Sequence, residues 1–184
     1  MINKLFKVLL LIIFSWFLTG CASQKMNEIA TKQVDLPRFM GNWYVIAVIP
    51  TAIETKAYNA IENYKLDADG TIATTFTYYK GAFDGPLKTY NPRGFVKPNT
   101  NNGVWGMQFI WPIKADFRIA YLDDDYQRTV IARNARDYVW IMARTPQITD
   151  AQYQEMTAFV TSLGYDMTKL IKVPQQWPNQ ATIR

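Results

Sequence analysis

From Trp43 to Arg144 apolar and polar positions alternate over short stretches, and turn-forming residues interrupt them at short intervals. A period of two marks a strand with one buried face. Residues 43–49 form an apolar, β-branched run that Pro50 ends. Residues 58–66 and 71–79 flank Asp67-Ala68-Asp69-Gly70, a strong hairpin signal. After the turn at 81–86, residues 87–96 form another strand, in which Pro92 marks an edge, bulge or bend. Residues 104–111, 116–122, 128–133 and 137–144 supply four more, separated at 112–114, 123–126 and 134–136. Eight short strands joined in sequence predict an all-β, antiparallel up-and-down barrel, whose closure leaves no exposed edge. The period then changes. Thr149-Asp150 offers helix caps, and Tyr153, Met156, Thr157, Val160 and Leu163 form one stripe until Gly164. This C-terminal helix, 151–163, is expected to pack outside the barrel wall, and 170–173 to add a short ninth strand.

The ends of the chain follow other rules. Lys4 and Lys7 precede an apolar run at 8–17 and then Leu18-Thr19-Gly20-Cys21. A short positive region, a short apolar core and small residues describe an export signal, and the run is too short to span a bilayer comfortably. Leu18 to Cys21 resembles the bacterial lipoprotein cleavage box. That resemblance implies removal of 1–20, diacylglycerol on the Cys21 thiol and an acyl chain such as palmitate on the new amine. Residues 21–34 then read as a lipidated tether, 35–173 as one domain and 174–184 as a loose tail.

Composition narrows the chemistry. Cys21 is the single cysteine, so no intramolecular disulfide is available. Histidine is absent, which excludes a Ser-His-Asp triad, His-ligated haem and the usual zinc sites. Lys and Arg outnumber Asp and Glu by 20 to 15, and Lys4 and Lys7 account for two of that excess. So mild a balance gives no reason to expect nucleic acid.

Three short motifs stand in a telling order. Gly41-Asn42-Trp43 opens the first strand, Asp123-Asp124-Asp125-Tyr126 lies between the sixth and seventh, and Arg144-Thr145-Pro146 closes the eighth. In that order they resemble the signatures of the lipocalin family: a Gly-x-Trp, an acidic turn ending in Tyr, and a late Arg. The run Arg136 to Pro146, with the lipoprotein signal, is most similar to the bacterial outer-membrane lipocalins, the group near apolipoprotein D. The middle motif departs by lacking its Thr, and the disulfides of many animal members are missing. The resemblance implies an eight-stranded lipocalin barrel that binds lipids, no cofactor or metal, and residence at the outer membrane, on its periplasmic side. For Gly41, Trp43 and Arg144 the expected role is structural. The guanidinium can stack on the indole and plug one end of the barrel.

The open end should then hold the ligand. Taking the more aromatic face of each strand, or the one in phase with Arg144, as inward gives a wall of Ala47, Phe76, Trp105, Met107, Phe109, Phe117, Ile119 and Trp140. Tyr78, Tyr90, Tyr121 and Arg93 are candidate polar contacts at the mouth. An aromatic cavity with polar groups at its rim suits an amphiphile, a fatty acid or a lysophospholipid with its tail inside. Two other readings compete: a catalytic lipocalin acting on a lipid, and an envelope interaction module with a filled barrel. The acidic turn at 123–125 is better explained as a solvated barrel-end turn than as a metal or acid–base cluster. Nothing in the sequence decides whether the protein forms a homodimer.

Overall fold

The computed structural model describes residues 27–51 and 56–177. The expected leader and Cys21, the expected site of lipidation, lie outside them. Asp35 caps a single helical turn, α1 (Leu36–Phe39), with Pro37 in its first turn, where a missing N–H costs nothing. Gly41 has φ +93°, a conformation closed to most side chains, and turns the chain into β1 (Gly41–Ile49). Next come β2 (Ala57–Leu66), β3 (Thr71–Lys80), β4 (Leu87–Tyr90), β5 (Arg93–Val96), β6 (Val104–Ile110), β7 (Ile113–Leu122), β8 (Arg128–Ala132) and β9 (Val139–Ala143).

Each strand pairs antiparallel with its neighbour, and β9 returns to β1, so the sheet closes. β4 and β5 both pair with β3 and are two halves of one stave, broken at Asn91-Pro92. Proline has no N–H for the ladder, and its carbonyl accepts instead from Thr74 N at 3.2 Å. The barrel therefore has the eight staves expected. The largest boundary shift is in β7, which begins at Ile113, paired with Ile110, so only Trp111-Pro112 makes the turn.

Helix α2 (Asp150–Ser162) starts with a capping box between Thr149 and Gln152 and buries Met156 and Val160. A 3₁₀ turn (Met167–Lys169) then leads to β10 (Ile171–Lys172), which pairs with Ala47 and Val48 of β1. The wall separates two apolar clusters. The inner one is aromatic and includes Phe39, Trp43, Tyr64, Phe76, Trp105, Phe117 and Trp140. The outer one lies under α2 and is built from smaller side chains, among them Ala47, Ala120, Ala132 and Ala143 around Met156 and Val160.

Two segments expected to be loose are docked. From Asn27 onward the tether lies against the barrel: Ile29 and Val34 are 2% exposed. Lys32 N donates to Ile119 O and Val34 N to Asn101 O, both at 2.9 Å. Arg118 pairs with Glu28 at 2.5 Å and reaches Ile29 O. At the other end, β1 pairs with β2 only from Gly41 to Tyr44. Beyond that point Gln175 Nε2 donates to Val45 O at 2.8 Å and to Ala60 O at 3.1 Å, while Asn59 bonds Pro174 and Gln176. Residues 174–177 thus fill the gap between β1 and β2 with the backbone partners those strands do not give each other.

Candidate functional site

The closed end is built around Trp43, which is fully buried. Its indole N–H donates to Phe39 O at 2.9 Å, and the Phe39 ring lies 5.0 Å away. The Arg144 guanidinium carbon sits 3.8 Å from the centroid of the Trp43 ring. The same guanidinium donates to Asn42 O at 2.7 Å, Arg38 O at 2.9 Å, Phe39 O at 3.0 Å and Tyr126 O at 3.3 Å. Burial pushes its pKa down to about 10. A Cβ on Gly41 would lie 3.5 Å from Arg144 Nη1, at a φ already strained for any side chain. Gly41, Trp43 and Arg144 therefore meet, and one cation ties α1, the start of β1 and the acidic turn into a plug.

That turn is held from within. Asp123 accepts from Gln127 N and Arg128 N and pairs with Arg128 Nε at 3.0 Å. Arg38 stacks 4.0 Å over the Tyr126 ring and donates to Asp124 O. Among the described residues no group of acidic, His or Cys side chains is arranged to hold a metal.

The opposite half of the barrel contains a cavity of about 190 Å³. Its lining places it at the open end: Thr51 lies just beyond β1, Phe109 is near the end of β6, Ala115 is near the start of β7, and Arg133 and Tyr138 flank the β8–β9 turn. Five of the residues expected on the wall line it: Phe76, Met107, Phe109, Phe117 and Trp140. Trp105 and Ile119 point into the barrel but pack below the cavity. The Trp105 ring stacks on Phe117 at 5.0 Å and meets Phe39 and Tyr64 edge-on, and its N–H donates to Asn102 O. They form floor between cavity and plug.

Ala47 is elsewhere. The ladder between β1 and β9 slips between Val45 and Ala47. A bulge at this point puts Ile46 and Ala47 together on the outer side and returns Val48 to the interior. The alternation that placed Ala47 inward from Trp43 is thereby broken.

The mouth candidates also divide. Tyr78 is 1% exposed and stacks between Phe76 and Tyr90, at 5.3 and 6.3 Å. Tyr121 is on the outer wall, donating to Glu155 of α2, and Arg93 is at the closed end beside Asp67 and Thr71. The most consequential residue missed is Glu62, which lines the cavity at 0% exposure. In the ladder it lies opposite Trp43 on one side and Phe76 on the other, so two strands predicted to face inward fix its direction. Asp116, also on the lining, is held by Arg118 and by Asn134 N, and Arg133 pairs with Asp137 at 3.4 Å.

A family model described as a lipocalin-like domain matches residues 34–175. The chain belongs to the lipocalin family. It is 30% identical over 161 residues to temperature-induced lipocalin-1 of Arabidopsis thaliana, across 83% of this chain and 86% of that protein. It is 29% identical over 141 residues to the outer membrane lipoprotein Blc of Citrobacter freundii, across 77% and 79%. Among solved structures, insecticyanin of the tobacco hornworm superposes with a TM-score of 0.63 at 15% identity, covering 80% of this chain and 84% of that one. Likeness at that identity concerns the fold alone. What this lipocalin has in common with the outer membrane lipoproteins is the barrel, and its open aromatic cavity is a container for a small hydrophobic molecule.

Proposed function

We propose that this lipocalin stores or carries amphiphiles with an acyl chain, fatty acids or lysophospholipids, in the cell envelope. It would do so from a lipid anchor on Cys21 at the periplasmic face of the outer membrane, and without turning the ligand over. The observation that carries this reading is the aromatic cavity at the open end of a barrel whose other end is plugged. Its volume of about 190 Å³ is smaller than the usual small-molecule pocket of about 300–1,000 Å³. It therefore suits the end of a chain, with the rest of the ligand and its head group outside. Each methylene buried contributes about 0.8 kcal/mol, close to fourfold in affinity. The match to bacterial outer membrane lipoproteins supports the location.

The test is a titration of the full chain with saturated fatty acids and lysophospholipids of graded length, following tryptophan emission. Trp140 lines the cavity and supplies the signal. Affinity should rise severalfold per methylene until the cavity is full, and Ala115→Phe, which puts a ring into the cavity, should abolish the response. A flat response across chain lengths and head groups sinks the proposal. Hydrolysis or isomerisation of a bound lipid that disappears in Asp124→Asn would replace it with a catalytic reading.

A further inference from the structure

The rim of the open end carries apolar side chains that the cavity does not use. At the tip of the β6–β7 hairpin Trp111 is 83% exposed, Ile110 73% and Ile113 67%. Phe109, at the foot of this tip, is 44% exposed and also lines the cavity. The hairpin before it along the rim, β3–β4, adds Leu87 and Phe83. A single exposed apolar residue needs no explanation; a run of them gathered at one end does. Lys56, Lys80 and Lys88 lie at this rim against the acidic Asp84, while Arg118 neutralises Asp116 and Arg133 pairs with Asp137; Lys114 is turned along the outer wall, its Nζ 3.4 Å from the centroid of the Phe95 ring.

We propose that the open end docks on an anionic lipid bilayer, with the Trp111 tip seated in the interfacial layer and the lysines above it facing the head groups. Tryptophan and aliphatic side chains beside lysine are the combination that binds at a membrane surface. The apolar tip gains by burial, the indole is at home at head-group depth, and each cation near an anionic surface adds attraction. Shape and charge both disfavour a second copy of the chain as the occupant. The tip is the convex end of a two-residue turn. A two-fold contact would also set each patch against itself, lysine rim facing lysine rim. Because Phe109 belongs to both the tip and the cavity wall, docking would bring the mouth against the lipid. The docking surface does not depend on what the cavity holds.

The full chain is mixed with vesicles of phosphatidylethanolamine and phosphatidylglycerol bearing brominated acyl chains, and tryptophan quenching is measured. Trp43, Trp105 and Trp140 are buried in the barrel, and Trp16 and the half-buried Trp177, packed on Tyr44, are common to wild type and variant, so the quenching lost on Trp111→Phe is the readout. At least half of the quenching should vanish in that variant. The Ile110→Glu, Ile113→Glu pair should weaken quenching at least threefold, and quenching should grow with the phosphatidylglycerol fraction. All three side chains face solvent, so unchanged circular dichroism melts are expected for the variants. Quenching equal in wild type and Trp111→Phe overturns the proposal. So does a dimer seen by sedimentation that the Glu pair dissociates while vesicles give no quenching.

Discussion

Removing Arg144 tests how the closed end is held. In Arg144→Ala the stacked cation over Trp43 is lost, together with hydrogen bonds to four carbonyls. Taken singly, bonds from a charged donor contribute about 1.5–3 kcal/mol, but their sum overstates the loss. The Asn42 and Arg38 carbonyls can turn to water, and Phe39 O keeps its bond from Trp43 Nε1. What remains is the Tyr126 bond, part of the Phe39 bond and a partly shielded cation–π contact of about 1–2 kcal/mol. Burying the charge costs something in return, as the depressed pKa of Arg144 shows. The expected net loss is about 3 kcal/mol, or roughly 6–12 °C in Tm for a domain of this size. Arg144→Lys keeps the charge but not the planar fork, so it should lose about half as much. Urea unfolding followed by far-ultraviolet circular dichroism gives both numbers. A cycle with Trp43→Phe should show about 1 kcal/mol of coupling. A loss under about 1 kcal/mol for Arg144→Ala, or Arg144→Lys equal to wild type, would refute the plug as described. Ligand affinity per folded molecule should not change, because the cavity lies at the other end.

Two further perturbations probe the wall and the cavity. Burial pushes the Tyr165 hydroxyl up to about 12, where it accepts from Arg133 N at 2.8 Å and donates to Tyr138 O at 2.9 Å. The unfolded chain releases that proton near pH 10 and the folded one near 12. Its contribution is therefore whole below pH 10 and declines as pH rises through that window. Tyr165→Phe should cost about 1–3 kcal/mol at pH 7 and flatten the decline between pH 10 and 12, measured by urea midpoints across pH. An unchanged slope argues against it. Glu62 bears on ligand charge: were its carboxyl ionised, a ligand carboxylate roughly 10 Å away would be repelled by about 1.7 kcal/mol at an effective dielectric of about 20, before screening. Glu62→Gln should thus favour a long-chain fatty acid over the alcohol of equal length by about three- to tenfold relative to wild type, read by displacement of an apolar fluorescent probe. An unaltered ratio would mean that Glu62 does not sense the ligand's charge.

The barrel was legible because its determinants are local. Turn residues, alternating faces and the Thr149–Gln152 capping box each act over a few residues, and Gly41, Trp43 and Arg144 are individually distinctive. What stayed hidden depends on contacts distant in sequence. Asn27 to Val34 reads as a polar tether until Asn101, Ile119 and Arg118 offer it partners. Pro174 to Trp177 reads as a tail until the short ladder between β1 and β2 leaves carbonyls for Gln175. A carboxylate on an inward face is contrary to patterning, so Glu62 emerges only when β2 is set between its neighbours. The rim was underestimated because Ile113 was read as turn, when it forms the second side of an exposed hairpin tip.

The misplacement of Ala47 shows how one inserted residue serves both sides of the wall. Without the slip after Val45, strict alternation would carry Ala47 inward and leave Val48 under the helix. With it, Ile46 and Ala47 both reach the outer cluster, and the carbonyl of Ile46 accepts from Val173 N at 2.9 Å. Ala47 then joins Ala120, Ala132 and Ala143 as a patch of short side chains beneath Met156 and Val160 of α2. Short side chains let a helix lie close to a sheet, whereas the interior fills its larger span with rings. The size of the side chain therefore discriminates between the two faces even where periodicity fails. Ala47 is too small for a wall made otherwise of Phe76, Met107, Phe117 and Trp140, and of the right size for the surface on which the helix rests.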